Sequence, residues 1–242
     1  MPRGYRVLSS GLAAAASLLA ATAAGAAGLS VTPISLEFSR AAPAQALWLS
    51  NTGDQKIDAQ LRAFAWTQEG GKDQLLPTRD LVLSPPMIAL QPGQKQLVRV
   101  IRAASPGTAE GSYRILVDEL PDPAKPQQGL HFVMQFSIPA FADTAPSTAP
   151  ALEWRVERQG DKLTLITDNK GARRAKVTDI ELLDGQGRNL LRRPGLLGYV
   201  LAGASCRWPL KLDAAALATT EVRARIDGTP ERYPLRLAAG VR

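Results

Sequence analysis

From residue 28 onward, apolar residues recur at every second position in short runs, and turn residues interrupt them about every 8 to 14 positions. A period of two is that of an extended strand with one face covered. Helical periodicity is nearly absent; only LDAAALAT, residues 212–219, has the composition for a brief helical turn. The strongest alternation is GLHFVMQFSIPAF, residues 129–141, which sets Leu130, Phe132, Met134, Phe136 and Ile138 on one face. Such a face closes either the core of its own protein or the core of another. A second informative run is LSVTPISLEF. Leu29 and Val31 share one parity, Ile34, Leu36 and Phe38 the other, and the phase changes at Thr32-Pro33. This predicts a first strand that passes from one sheet to another at the proline, a residue tolerated at edges and bulges. LWLSNTGDQ predicts a strand ending in an Asn-Thr-Gly turn, EGGKDQ a hairpin loop, and Gln91-Pro92-Gly93-Gln94 a turn between two further strands.

The composition changes at residues 144–151, which are rich in Pro, Ala, Ser and Thr and predict a linker. Beyond it, LEWRVER, KLTLITDN, AKVTDIELLD, LGYVLAG, SCRWPLKL, EVRARID and RYPLRL again predict short strands. The expected architecture is therefore all-β, with one sandwich over residues 28–143 and a second over 152–242. Residues 1–27 read as a secretory signal: Arg3 and Arg6, an Ala/Leu run, then Ala24-Gly25-Ala26 as a cleavage site.

Removing that segment takes two arginines from the 29 basic residues and none from the 22 acids, leaving a net charge of +5. The basic residues are scattered through the strands without interleaved aromatics, which argues against a nucleic-acid partner. Cys206 is the single cysteine, so an exported chain has no internal disulfide and must rely on packed cores. With His131 as its one histidine, a zinc cluster is not expected.

Catalytic material is sparse. No G-x-S-x-G, H-E-x-x-H, P-loop or G-x-G-x-x-G occurs. His131 sits on a strand between Leu130 and Phe132 and reads as a solvent-facing residue, and Cys206 reads as a buried thiol. Asp118 and Glu119 are adjacent on a strand and point to opposite faces. The chain is not expected to be an enzyme, to carry a cofactor or metal, or to take a small-molecule substrate.

The runs LSVTPISLEF, LSNTGD, SPPMIALQPGQKQLVRV, SYRILVDELP, GLHFVMQFSIPAF and GLLGYVLAGASCRWPL together resemble the PapD-like periplasmic pilus-assembly chaperones of the chaperone-usher pathway. The spacing of SPPMIALQPGQKQLVRV and SYRILVDELP is the specific part of the likeness. The resemblance implies two immunoglobulin-like domains in an L shape with a client-facing cleft. It implies periplasmic work on pilus subunits, which are capped by donor-strand complementation and delivered to an outer-membrane usher. Aligned this way, Leu130, Phe132 and Met134 are the lent residues, while Phe136 and Ile138 close the chaperone's own core. A free donor edge could also pair with a second copy. On the bare sequence, all five being ordinary core residues stands as the alternative.

The family also captures the client's C-terminal carboxylate with basic residues, and here the sequence departs from its best-known members. The corresponding positions are Ser35 and Pro139. Arg114 is the first candidate for a displaced anchor, with Arg102 and Arg40 behind it, because a guanidinium meets a carboxylate with two parallel hydrogen bonds. This departure, with Ser137, Pro139 and Phe141, resembles the archaic branch associated with spore-coat-like pilins. The resemblance further assigns Arg99, Glu119 and Asp227 to an ion-pair set where the domains meet. Two other classes compete: a structural or adhesive Ig-like pilus component, which should lack its last strand, and a carbohydrate-binding sandwich, which should show more than 5% aromatic residues.

Overall fold

In the computed structural model, the described residues are 28–104, 109–121, 133–143, 149–212 and 219–238, and their only regular structure is β-strand. The expected signal segment, His131 and nearly all of the LDAAALAT turn lie outside them.

The first domain is a sandwich of two sheets. One consists of β1 (Leu29–Thr32), β3 (Ala44–Asn51), β8 (Lys95–Arg102) and β6 (Leu81–Ser84), in the order β1-β3-β8-β6. The other runs β2 (Leu36–Phe38), β10 (Gln135–Ala142), β9 (Gly111–Leu120), β4 (Ile57–Glu69) and β5 (Lys72–Pro77), with β7 (Met87–Leu90) also on β4. The period-two pattern decides what goes between them: Leu47, Leu49, Val98 and Val100 from the first sheet meet Ala59, Ile115, Val117 and Ile138 from the second. The change of sheet at Pro33 occurs as the sequence predicts, with β1 paired to β3 and β2 paired to β10. Ile34 departs from the expected phase. It lies in the crossing, not in either strand, and is 79% exposed.

The predicted turns form, with the hairpin loop tighter than expected. β4 and β5 are joined by Gly70-Gly71 alone, both at positive φ (58° and 78°), where glycine carries no Cβ penalty. In the Gln91–Gln94 turn, Gln94 donates its backbone N–H to the Gln91 carbonyl at 2.9 Å.

The second domain contains β11 (Leu152–Gln159), β12 (Lys162–Asn169), β13 (Ala175–Asp184), β14 (Asn189–Val200), β15 (Ser205–Leu210), β16 (Thr219–Ile226) and β17 (Thr229–Ala238). β17 joins its two layers: Thr229–Pro234 pairs antiparallel with β16, and Leu235–Ala238 then pairs parallel with β11. Its core is built on Trp154, Leu165, Val177, Ile180, Leu182 and Val222.

Both domains end a strand with the same asparagine device. Asn51 Nδ2 donates to the carbonyls of Gln55 (2.7 Å) and Leu90 (3.0 Å), and its Oδ1 accepts from Gly53 N (2.9 Å). Asn169 Nδ2 donates to Arg173 O (2.7 Å) and Val200 O (3.1 Å), and its Oδ1 accepts from Gly171 N (2.9 Å). Each buried amide satisfies backbone groups that the turn would otherwise strand away from water. The shared N-x-G spelling is the trace of this repeat in a sequence otherwise without one.

Candidate functional site

The distinctive feature of β10 is how little of its outer edge is covered. β9 pairs along its whole length, Gln135↔Asp118 to Ala142↔Gly111, whereas β2 pairs only with Ala140–Ala142. Among the described residues, the edge facing away from β9 is therefore open from Val133 to Pro139. Glu119 N donates to Met134 O at 2.9 Å, so Met134 turns its peptide groups toward β9. By the alternation of an antiparallel ladder, Gln135, Ser137 and Pro139 turn theirs outward. Pro139 consequently sits where its missing N–H breaks no bond with β9. Side chains change character along the same strand. Ile138 is buried and Phe136 packs on the core, but Met134 is 38% and Val133 51% exposed. Leu130 and Phe132 lie outside the described residues.

Beside this edge is a cleft of about 800 Å³ between the two domains. Its walls include Ile34, Arg114, Ser137 and Pro139 from the first domain and Lys176, Leu196 and Trp208 from the second. Arg114 is at the register position of both Pro139 on β10 and Phe64 on β4, which puts these side chains together on the outer face of the sheet. Its guanidinium lies 3.8 Å from the centroid of the Trp66 ring. Burial lowers its pKa, an effect opposed by Asp73 and Tyr199, yet a guanidinium stays charged throughout the ordinary pH range. Among the described residues Arg114 has no carboxylate partner within ion-pair distance. A stacked, partly buried, unpaired arginine beside an open strand edge is chemically suited to receive an anion.

The other two anchor candidates are elsewhere. Arg102 is buried inside the first domain, where its Nη1 donates to Asp143 O at 3.2 Å. β8 alternates, so the parity that buries Val98 and Val100 buries Arg102 as well. Arg40 is exposed in the turn after β2. Neither lines the cleft.

The expected set of Arg99, Glu119 and Asp227 is not assembled. Arg99 is exposed on β8, in one sheet; Glu119 is on β9, in the other; Asp227 is in the β16–β17 turn, where its Oδ1 accepts from Lys176 N at 3.2 Å. The domains are instead joined by residues that the sequence reading did not single out. Arg174 of the second domain is buried and hydrogen-bonded to both Glu110 and Glu37 of the first. Its backbone N–H donates to Glu110 Oε2 at 2.9 Å, and its guanidinium lies 3.7 Å from the Phe141 ring centroid. Arg173 Nε adds a longer contact to Glu110 at 3.6 Å. Glu37 has its pKa raised, by burial first and by neighbouring Glu110 and Asp143, with Arg174 and Arg173 opposing.

An apolar cluster of Trp66, Phe141, Tyr199 and Leu201 lies alongside, with ring centroids 5.4 to 6.0 Å apart. Gln68 ties the backbone across it, donating to Tyr199 O and accepting from Leu201 N, both at 2.9 Å. Cys206, at the back of the cleft, is buried; its thiol pKa is pushed up to about 12 by desolvation first, then by Asp73, so it remains protonated. No group of three or more His, Cys, Asp or Glu among the described residues is arranged to hold a metal ion.

Residues 28–146 match the family of the pili and flagellar-assembly chaperone, PapD N-terminal domain. These residues carry the chaperone domain of that family. The fold is also that of solved two-domain chaperones. A chain of the CsuC–CsuE chaperone–tip adhesion subunit pre-assembly complex from the archaic chaperone-usher Csu pili of Acinetobacter baumannii is 24% identical with a TM-score of 0.69, covering 87% of this chain and 99% of that one. The Escherichia coli chaperone DraB is 17% identical with a TM-score of 0.57, over 87% and 96% of the two chains. A chain of the Salmonella enterica SafA pilin–SafB chaperone complex is 15% identical with a TM-score of 0.59, over 86% and 96%. No curated protein matches the chain by sequence.

Proposed function

We propose that this chaperone works in the periplasm, folding and capping pilus subunits by lending them the open edge of β10 and handing them to an outer-membrane usher. The observation that carries this reading is the unpaired backbone from Val133 to Pro139, continuous with the alternating run Leu130, Phe132, Met134. A subunit lacking a strand would gain main-chain hydrogen bonds from that edge and apolar side chains for its groove. Each lent side chain, fully buried, contributes roughly 1.5 to 3 kcal/mol. Arg114 is the proposed carboxylate anchor, since it faces the cleft beside Pro139 without an acidic partner among the described residues. The likeness to a chaperone of archaic Csu pili supports the archaic branch for this chain. Export fits the signal segment expected at residues 1–27, and release of a client proceeds by exchange with another subunit's strand, since nothing in the mechanism calls for ATP.

The test is periplasmic co-expression with candidate pilin-like subunits, capturing on this chain and comparing wild type with Phe132→Glu/Met134→Glu. A soluble one-to-one complex with wild type, lost in a double variant that still folds, is the expected result. Equal capture by both would place the apolar face in this protein's own core and end the strand-lending reading.

A further inference from the structure

The C-terminal half of β10 is fixed by burial: Ile138, Pro139, Ala140, Phe141 and Ala142 are all buried. The half that faces a client is not. Val133, Met134, Gln135 and Ser137 are exposed, and among the described residues their outer edge has no partner strand. A one-residue slip would exchange the face bearing Phe132 and Met134 for one bearing Val133 and Gln135. Hydrophobic burial gives little protection against that slip at positions so exposed.

What holds this half is polar. Glu119 grips Met134 through two bonds: its N–H donates to Met134 O at 2.9 Å, and its Oε2 accepts from Met134 N at 3.1 Å. Asp118 is the centre of a ladder across three strands, accepting from Gln135 Nε2 on β10 and, at 2.8 Å, from Arg62 Nη2 on β4. Gln135 and Asp118 are direct cross-strand partners, so a one-residue slip would turn Gln135 to the opposite face from Asp118 and break this bond. Both carboxylates are accounted for by these contacts, and hydrogen bonds to ionised acceptors are the stronger kind. We infer that Asp118 and Glu119 are positioning residues that lock the register of the open half of β10, determining which side chains it presents to a subunit. This rests on the strand-lending reading above.

The test needs no subunit, so its failure is distinct from failure of that reading. In the labelled full-length mature protein, cross-strand Hα–Hα contacts Gln135–Asp118 and Ser137–Leu116 report register, and amide exchange at Met134 reports the grip. In Asp118→Ala/Glu119→Ala both cross-peaks should vanish and Met134 should exchange about tenfold faster or more, the scale of one lost charge-assisted bond. Ile115 and Ile138 amides should be unchanged. Asp118→Asn/Glu119→Gln, which keeps the acceptor oxygens, should restore both signals. If the alanine pair instead keeps the same cross-peaks with Met134 exchange within about twofold of wild type, burial alone sets the register and the inference is overturned. Should that pair fail to fold, Gln135→Ala/Glu119→Ala decides: a weakened Hα–Hα contact between positions 135 and 118 supports the lock, and an unchanged one refutes it.

Discussion

Arg174 lies between two carboxylates of the first domain and the ring of Phe141, although it belongs to the second. Its partner Glu110 has a side chain only 1% exposed. Two buried charges contribute little net stability as a pair, but removing one strands the other in a medium that cannot solvate it. Arg174→Met is therefore expected to cost about 3 to 5 kcal/mol, read from urea unfolding, while Arg174→Met/Glu110→Gln should recover a large part of that loss. Equal losses in both variants would mean that the pair matters only through packing on Phe141. Residues such as these escape a reading of the sequence because an Arg-Arg pair after a turn looks like solvated surface. Nothing local states that Glu110, 64 positions away, will be its neighbour.

At the scale of elements, strands were legible and their partners were less so. The alternation in β3, β8 and β9 translates directly into buried and exposed faces, and the phase change at Thr32-Pro33 marks the crossing between sheets. β10 carried one further signal. Its alternation gives way to the unbroken run Ile138-Pro139-Ala140-Phe141-Ala142, as expected of a strand covered on both faces, and the second cover is the joint with the other domain. The ion-pair set assigned by resemblance did not assemble, because Arg99 and Glu119 are on different sheets.

The β4–β5 hairpin shows how finely such a contact is fitted. A Cβ on Gly71 would lie 2.4 Å from Arg207 Cγ in the second domain, whereas one on Gly70 would meet nothing within 4 Å. Both residues have positive φ, so alanine at either carries a backbone cost of about 1 to 2 kcal/mol. Gly71→Ala should lose more stability than Gly70→Ala in thermal unfolding, the excess measuring the displaced Arg207. Indistinguishable midpoints would show that this hairpin tip does not bear on the joint.

Across the whole molecule, the two sandwiches form a frame in which, among the described residues, the outer edge of β10 is unpaired from Val133 to Pro139 beside a cleft. Aromatic and ionic contacts join the domains at one end of β10, where it is buried, and the opposite half stays open. Open edges are a hazard that most β-proteins cover, and this bare edge is where the proposed strand donation would act. The measurement that bears most directly on that use is amide exchange along β10, in the free chaperone and in its complex with a subunit recovered by co-expression. The amides of Val133, Gln135 and Ser137 point away from β9; they should exchange freely in the isolated protein and become protected in the complex, while Phe136 and Ile138 change little. Outward amides that exchange as fast in the complex as in the free protein would contradict strand donation and move the client's contact elsewhere on the molecule.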